Sequence, residues 1–456
     1  MQASVISKYA GIALLLCSGA ISAFSLPQSS PPNVILCMTD DQGWGDTAYN
    51  GHPVLRTPHL DRMAAEGLRF DRFYSAAPVC SPTRGSALTG RHPYRYGIFY
   101  ANVGSMKAEE MTLAEILKRN GYATGHFGKW HLGTLTTKIK DSNRGGPDNL
   151  DEYSPPWENG FDSCFSTEAK VPTYWKEGDY EKYGTRYWTG PGEMVPPTEI
   201  SGDDSKLIMD RALPFIRKQS EAGIPFFTVI WFHTPHLPVV SAPPYTDGYE
   251  EHGDYYGCLT AMDEQMGRLR AELESLGVSK NTMLWFCSDN GPEGNDSDPG
   301  RTGGLRGRKR SLYEGGVRVP GLLVWPAMIK EARRVDFPAN TSDYFPTILD
   351  ALGYRMPEAL ARPYDGVSLL PLIRAKVTQR PSPMAFESRQ QLSLTGNRYK
   401  VYSKDGGKTY ALYDLIFDPA ETTDISEKQP EVLEQMIHDL QTWQASCAAS
   451  NRGEDY

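Results

Sequence analysis

Apolar runs of strand length alternate with helix-like segments over most of this chain. Asn33 to Thr39, Leu68 to Ser75, Phe226 to Phe232 and Thr282 to Ser288 are the predicted strands. Segments with helix start and stop residues lie between them, and the predicted helices are Thr57 to Glu66, Thr112 to Asn120, Asp203 to Ser220, Tyr255 to Leu276 and Ser342 to Gly353. Buried strands that alternate with helices predict an α/β fold, with a large, mostly parallel central sheet and helices on both faces.

The pattern changes after about Pro371. Arg398 to Ser403 and Thr409 to Leu415 flank Gly406-Gly407, which is typical of a hairpin, and an amphipathic helix from about Pro430 to Ala445 follows. We therefore predict a main domain of residues 26–375 and a C-terminal α+β subdomain of residues 376–456, built from a small antiparallel sheet with a packed helix. The stretch from Gly145 to Pro197 is rich in Pro, Gly and aromatic residues, and we interpret it as long surface loops that line a substrate pocket.

The first 25 residues have the pattern of a secretory signal. Lys8 precedes the apolar run Ala10 to Leu16, which is too short to span a bilayer, and small residues follow. We therefore expect a secreted or periplasmic protein without a membrane anchor. The pairing of several cysteines is left open by the sequence, namely that of Cys164, Cys258 and Cys447.

The length and the net charge of the chain limit the classes of function that are possible. A chain of 456 residues with 39% hydrophobic residues is long enough for a large domain and a smaller one. The net charge of -9 argues against nucleic-acid binding, which requires a basic face. An anionic substrate stays possible, because a local cluster of Arg, Lys and His in a cleft can bind an anion within an acidic protein.

A cysteine stands where a strand-like run ends and a helix begins, in Cys80-Ser81-Pro82-Thr83-Arg84. Ser81 is the predicted helix cap and Pro82 suits the first turn, where free amides and the helix dipole favour an anion. Arg84, one turn further on, lies on the same helix face as Cys80 and adds a fixed positive charge. Taken by itself, the motif is also compatible with a buried structural thiol.

Two acidic pairs follow predicted strands. Asp40-Asp41 comes directly after the first strand, and Asp289-Asn290 comes after the strand that ends at Ser288. Ligands of open α/β sheets bind at the carboxyl ends of the strands, and carboxylates that converge there need a cation. Oxygen ligands select a hard ion such as calcium or magnesium. Either pair alone is equally compatible with a polar strand end or a helix cap.

Basic side chains stand in motifs that complete such a site. Lys129 and His131 alternate on an extended segment and so share one side. His236 lies in a turn with a proline on either side that follows a strand, and Lys309 precedes Tyr313-Glu314-Gly315-Gly316 in a loop rich in Gly and Arg. A single residue of this kind is more typical of a structural or solvated position. The density of the set is what indicates a binding site.

The motifs from Asp40 to about Gly316 resemble those of the type I sulfatases of the alkaline phosphatase superfamily, and the tail from Tyr410 to Asp424 is similar to theirs. The resemblance implies an alkaline-phosphatase-like fold, sulfate ester hydrolysis, one calcium ion, and oxidation of Cys80 to formylglycine by a formylglycine-generating or anaerobic maturation enzyme. The implied metal ligands are Asp40, Asp41, Cys80, Asp289 and Asn290. The implied catalytic residues are Cys80, Arg84, Lys129, His131, His236 and Lys309.

The resemblance also implies how these groups work. One hydroxyl of the hydrated aldehyde attacks sulfur, His236 protonates the leaving alcohol, and His131 takes the proton of the second hydroxyl. The metal, Lys129 and Lys309 offset the charge on the sulfate oxygens.

Other functions and the substrate stay open at this point. A phosphate or phosphonate monoester hydrolase of the same superfamily handles a similar anion, and a noncatalytic sugar-binding relative is the second alternative. Aromatic residues between Tyr153 and Trp188 favour a sulfated carbohydrate, such as a polysaccharide-derived oligosaccharide or a glycosaminoglycan fragment, because their faces stack on sugar rings. The candidate sugar contacts are Tyr100, Asn102, Arg144, Trp175 and Arg186.

Overall fold

The central sheet predicted from the alternating pattern is present in the computed structural model, which describes residues 31–357 and 360–456. The predicted signal, residues 1–25, lies outside the described residues. The strands are, in chain order, β1 Asn33–Thr39, β2 Leu68–Phe70, β3 Phe73–Tyr74, β4 Ala123–Lys129, β5 Lys140–Asp141, β6 Arg144–Gly145, β7 Ser163–Thr167, β8 Tyr174–Trp175, β9 Tyr187–Gly190, β10 Glu193–Met194, β11 Gly202–Asp203, β12 Phe226–Trp231, β13 Thr282–Ser288, β14 Arg318–Val319, β15 Gly321–Val324, β16 Arg333–Val335, β17 Ala339–Asn340, β18 Met384–Ser388, β19 Gln391–Thr395, β20 Tyr399–Ser403 and β21 Ala411–Asp414. The helices are α1 Pro58–Glu66, α2 Cys80–Thr89, α3 Leu113–Arg119, α4 Asp179–Tyr183, α5 Asp204–Glu221, α6 Pro243–Thr246, α7 Gly253–Ser275, α8 Glu314–Val317, α9 Tyr344–Leu352, α10 Leu370–Ile373 and α11 Pro430–Asn451.

Among the described residues, ten strands make up the central sheet, in the order β10-β9-β7-β4-β12-β1-β13-β15-β2-β16. The five neighbours β7, β4, β12, β1 and β13 are parallel. Antiparallel pairs flank them, β9 beside β7 on one side and β15 beside β13 on the other. The carboxyl ends of the five parallel strands therefore meet at one edge.

Both faces of the sheet are covered, as predicted. Along β1, Val34, Leu36 and Met38 belong to a core that contains side chains of α2, α3 and α9. Ile35 and Cys37 belong to a second core with side chains of α1, α5 and α7. The alternation reflects the two-residue period of a strand, which sends successive side chains to opposite faces.

Two predictions about the strands were wrong. The stretch from Gly145 to Pro197 is more than surface loops, because β7, β9 and β10 of the central sheet lie within it. These strands are short and separated by Gly- and Pro-rich turns, which hides their apolar pattern. The segment Leu68 to Ser75 is two strands, because β3 leaves the central sheet to pair with β14 and β17.

The predicted C-terminal antiparallel sheet with a packed helix is also present. Strands β18 to β21 form an antiparallel meander, and Leu440 of α11 packs with Leu392 and Val401 on one face of it. The other face packs against Leu312 and Val317. The boundary between residues 375 and 376 stays a prediction.

The structure also shows the state of the cysteines and the character of the helices. All six described cysteines are free thiols, namely Cys37, Cys80, Cys164, Cys258, Cys287 and Cys447. No helix in the described part of the chain combines the length and the apolarity needed to cross a bilayer.

A buried ion pair fixes the chain that leads into the C-terminal sheet. Both guanidinium NH2 groups of Arg380 donate to Asp343, at 2.6 and 2.9 Å, and neither side chain is exposed. Replacing one member leaves a buried charge unpaired, so we expect Arg380→Met to lower the free energy of unfolding by about 3–5 kcal/mol. Urea titration followed by tryptophan fluorescence measures this. Lys206→Met is the matched control, because its pair with Asp210 is exposed to solvent; an equal loss in both variants would contradict the prediction.

Candidate active site and metal centre

The sheet edge described above carries the polar residues predicted from the strand ends. Asp40 follows β1, Asp289 follows β13, and Lys129 is the last residue of β4. His236 lies five residues beyond the end of β12. The parallel order of these four strands brings side chains from distant parts of the chain to one place.

The acidic residues form a contiguous buried cluster. The Asp41 amide donates to Asp289 Oδ1 at 3.1 Å, and Asn290 Nδ2 donates to Asp41 Oδ1 at 2.6 Å. Asp40, Asp41, Asp289 and Asn290 are each at most 1% exposed. Asp41 adopts a left-handed backbone with φ of 67°, which aspartate and asparagine tolerate better than most residues.

The donor set of this cluster fits a hard cation. Ligand atoms of Asp40, Cys80 and Asp289 lie within 4.8 Å of one another, and so do those of Asp40, Asp41 and His236. Asp40 Oδ1 and Asn290 Oδ1 are buried without a hydrogen-bond partner. Unsatisfied buried oxygens are rare in folded proteins, and a metal ion would satisfy both.

Helix α2 presents Cys80 and Arg84 to the cluster. Arg84 Nη2 lies 2.5 Å from Asp289 Oδ2 and 3.5 Å from Asp40 Oδ2, and its guanidinium packs 5.2 Å from the ring centroid of Trp231. The predicted cap was wrong: Cys80 is itself the first helical residue, Val79 occupies the cap position, and the Ser81 hydroxyl has no hydrogen-bond partner. The helix starts two residues earlier than a cap at Ser81 would place it, so Cys80 lies in the first turn.

Both predicted lysines contact the acidic cluster. Lys129 Nζ lies 2.5 Å from Asp40 Oδ2. Lys309 Nζ lies 2.6 Å from Asp41 Oδ1 and 3.3 Å from Glu293 Oε2. The two ammonium groups therefore approach the cluster from the end of β4 and from the loop that carries Lys309, and both line the same polar cavity.

The two predicted histidines line the same cavity with defined tautomers. His131 Nε2 pairs with Asn102 Oδ1 at 2.7 Å, while its Nδ1 is buried without a partner. His236 Nδ1 pairs with the Leu237 carbonyl at 2.6 Å, and its Nε2 lies 3.8 Å from Asp41 Oδ2. In each ring, the carbonyl-type partner holds one N–H and leaves the other nitrogen free to take or give a proton. His233 is instead fully buried outside the cavity, paired with Asp204.

Charge and burial set the ionisation of the cluster. Burial opposes ionisation of Asp40, but Lys129, His236, Arg84 and Lys309 hold its pKa well below the usual range. Burial and the neighbouring Asp40 charge raise the pKa of Asp289 to about 7. Burial also raises the pKa of the Cys80 thiol, although Lys129 and Lys309 oppose it. The unmodified thiol is therefore protonated and a weak nucleophile.

The cavity beside Cys80 measures about 290 Å³, and only part of the predicted sugar-contact set reaches it. Tyr100 and Asn102 line it. Trp175 is buried and donates to Asp204 in the second core. Arg144 is buried against Glu168 at 2.9 Å, and Arg186 pairs with Glu181 at 3.2 Å. These three side chains do not line the cavity and have partners within the protein.

Sequence reasoning missed several residues of the cavity wall. They are Asn143, Lys170, Leu237, Glu293 and Arg310. Lys170 was missed because β7, which precedes it, was interpreted as a loop. Recognition of that strand would have placed Lys170 near the carboxyl edge of the sheet. Glu293 lies just beyond Asp289-Asn290, and no motif distinguished it.

Comparisons with known protein sequences point to one family. Residues 32–354 match the family model described as sulfatase, and residues 307–446 match the model described as the C-terminal part of N-sulphoglucosamine sulphohydrolase. The dog (Canis lupus familiaris) N-acetylgalactosamine-6-sulfatase is 32% identical over 418 residues, which cover 85% of this chain and 74% of that protein.

Solved structures share the fold. The structure of Ps i-CgsB in complex with k-i-k-neocarrahexaose has a TM-score of 0.79 at 24% identity, covering 91% of this chain and 93% of that one. A structure in complex with D-glucosamine-2-N,6-O-disulfate has a TM-score of 0.71 at 19% identity, covering 92% of this chain and 98% of that one.

Proposed function

Because this chain belongs to the sulfatase family and hydrolyses sulfate esters, we propose that its substrate is a sulfated carbohydrate, hydrolysed outside the cytoplasm by formylglycine made from Cys80 beside one calcium ion. The carbohydrate is a polysaccharide-derived oligosaccharide or a glycosaminoglycan fragment. The single observation that carries this mechanism is the position of Cys80 within 4.8 Å of the Asp40 and Asp289 ligand atoms, beside buried oxygens that lack partners.

The residues present fit the metal and the modified cysteine. Asp40, Asp41, Asp289 and Asn290 would hold calcium, together with the modified side chain at position 80. Calcium supplies Lewis-acid polarisation of a sulfate oxygen. Formylglycine supplies, in its hydrated form, a nucleophilic hydroxyl and a second hydroxyl whose proton can leave.

Basic side chains bind and orient the sulfate group. Lys129 and Lys309 offset the charge on its oxygens and hold the ester in the cavity between them. Arg84, buried against Asp40 and Asp289, keeps the carboxylates in place and adds a fixed positive charge at the first turn of α2.

The histidines hold and move protons at stated atoms. His131 Nδ1 has a free, buried lone pair and accepts a proton from a hydroxyl at position 80. His236 Nε2 donates to the leaving alcohol. Burial lowers the pKa of His236 to about 4, and the negative charge of a bound sulfate ester raises it, which favours the protonated form once substrate is present.

The carbohydrate assignment is supported by the relatives and by the cavity. The dog relative is named N-acetylgalactosamine-6-sulfatase, and two structures with the same fold are complexes with k-i-k-neocarrahexaose and with D-glucosamine-2-N,6-O-disulfate. Tyr100, Asn102 and Asn143 line the cavity with an aromatic face and two amides, which suit the faces and hydroxyls of a sugar ring. The proposal also includes a secretory leader of residues 1–25 and a formylglycine-generating or anaerobic maturation enzyme that oxidises Cys80.

Sulfate should be preferred over phosphate as the transferred group. Within the described residues, both groups of candidate metal ligands contain Asp40, which is consistent with the single calcium ion proposed here. A sulfate monoester carries one negative charge, which one metal ion compensates. A phosphate monoester carries a second charge, which one ion compensates less well. We expect kcat/KM for an aryl sulfate to exceed that for the matching aryl phosphate at least about tenfold, or about 1.4 kcal/mol of transition-state binding.

Matched nitrophenyl esters, assayed with the same mature preparation, measure this ratio. A ratio in favour of phosphate would replace the sulfatase mechanism by that of a phosphate or phosphonate monoester hydrolase. Binding of sulfated sugars without turnover of either ester would support a noncatalytic sugar-binding relative.

A further inference from the structure

One cation at the wall of the catalytic cavity has no acidic partner among the described residues. Lys170 lines the cavity together with Cys80, Lys129 and Lys309, but it is exposed and makes no ion pair or side-chain hydrogen bond. The two buried lysines, in contrast, are paired with Asp40 and Asp41. The positive charge of Lys170 is therefore available to a ligand.

Hydrogen bonds hold the backbone next to Lys170 in place. The preceding carbonyl, that of Ala169, accepts from the Thr167 hydroxyl at 3.0 Å and pairs with His233 Nε2 at 3.2 Å. His233 is itself fixed by Asp204, whose Oδ2 lies 2.8 Å from Nδ1 in a fully buried pair. The same histidine begins the turn that carries His236. Lys170 is thus attached to a rigid support shared with the proposed proton donor.

Arg310, a further cation on the cavity wall, is also neutralised. Arg310 lines the cavity, but its guanidinium binds both carboxylate oxygens of Glu293, at 2.5 and 2.8 Å. A further guanidinium, that of Arg389, stacks 3.9 Å from the ring centroid of Tyr100, which is part of the wall. The wall therefore has excess positive charge near Lys170 and behind Tyr100, and little near Arg310.

Neighbouring cavities differ in charge. A cavity of about 320 Å³ shares Leu237 and Glu293 with the catalytic cavity, and it adjoins a cleft of about 1090 Å³. Basic residues in that cleft are balanced by acids, which are Glu250, Glu251, Asp296 and Asp298. A polyanionic chain would gain little there. A second negative charge on the substrate is accommodated better beside Lys170 than along the cleft.

We propose that Lys170 forms a subsite for a second anionic group of the substrate, a carboxylate or another sulfate ester, so that the preferred carbohydrate carries at least two negative charges near the cleaved ester. This inference rests on the proposed function and specifies its substrate class. Charge-assisted hydrogen bonds to a carboxylate or sulfate oxygen are stronger than neutral ones, and an ammonium group with no other partner forms them without breaking an existing pair.

The test compares Lys170→Met with Lys176→Met in mature enzyme. Lys176 is also an exposed lysine whose ammonium group has no acidic partner among the described residues, but it does not line the cavity. Each variant is assayed on a monosulfated sugar with no other charged group, a disulfated sugar and a monosulfated disaccharide that contains a uronic acid. We expect Lys170→Met to lower kcat/KM for one or both dianionic substrates about fivefold to twentyfold, mainly through KM, and to leave kcat/KM for the monoanionic sugar within about twofold.

The three substrates identify the anionic group that Lys170 binds, and they distinguish a failure of the subsite from a failure of the proposed function. A loss confined to the disulfated sugar assigns the subsite to sulfate, and a loss confined to the uronic acid substrate assigns it to carboxylate. An equal effect of Lys170→Met on all three substrates, no effect on any, or the same effect from Lys176→Met would overturn the subsite while leaving the sulfatase function intact. Sulfate release from an aryl sulfate but from no saccharide would overturn both the carbohydrate assignment and the subsite.

Discussion

Cys80→Ala should lose about a thousandfold or more of its sulfate ester activity while keeping its fold, because it removes the nucleophile without changing a buried volume by much. Cys80 is 2% exposed and lies in the first turn of α2, where alanine is a good helix former. The measurement combines sulfate release with the mass of the peptide that contains residue 80. In active wild-type protein, that peptide should be lighter than the cysteine form by the change from thiol to aldehyde.

Cys80→Ser provides a sharper control for the same mechanism. An unmodified serine can form a sulfate ester but has no second hydroxyl whose deprotonation releases it. We therefore expect at most one sulfate ester cleaved per molecule, with the sulfate retained on residue 80, followed by very slow turnover. The mass of the peptide must show unmodified serine for this reading. Active wild-type protein with an intact Cys80 thiol would contradict the formylglycine mechanism.

The fold was predictable where the chain packs in regular, long elements. Strand β13 is a run of buried residues and α7 is long, so their patterns are visible without a structure. Strand β4 was not predicted, because Gly125 and Gly128 interrupt its apolar character. Gly128 has φ of 107°, and a Cβ there would lie 1.9 Å from the Trp231 carbonyl oxygen. The residue that makes β4 look unlike a strand is the one that allows it to pack beside β12.

Grouping of the site residues was predictable, but their pairwise contacts were not. Carboxyl strand ends explain why Asp40 and Asp289 come together, since parallel strands share one edge. Sequence alone did not show that Lys309 would reach Asp41, because the loop that carries it is held by distant contacts. One example is the Lys309 amide, which donates to the Pro292 carbonyl at 3.1 Å. The position of Lys170 at the cavity could not be predicted either, because it depends on β7, a strand whose apolar pattern is too short to recognise.

Calcium affinity should fall at least about tenfold in Asp41→Asn, because one of the three carboxylates of the proposed metal site loses its charge. Asparagine is the suitable replacement, since the left-handed backbone at this position, with φ of 67°, would strain alanine. Calorimetric titration of calcium into chelator-treated mature protein gives the affinity. Thermal unfolding provides an independent readout, because calcium at a hundred times its Kd should stabilise the wild type by about 2.7 kcal/mol.

Two further variants separate the loss of a ligand from other effects of Asp41→Asn. Asp254→Asn removes a negative charge from the adjoining cavity, and Asp254 supplies none of the candidate ligand atoms. It should therefore leave calcium affinity within about twofold, since solvent screens a charge that does not ligate the ion. Lys309→Met removes the cation that pairs with Asp41 at 2.6 Å. It should not weaken calcium binding, because a freed carboxylate attracts the ion more strongly. Unchanged calcium affinity in Asp41→Asn, or equal losses in Asp41→Asn and Asp254→Asn, would remove Asp41 from the metal site and leave the cluster as an ion-pair network around Lys309.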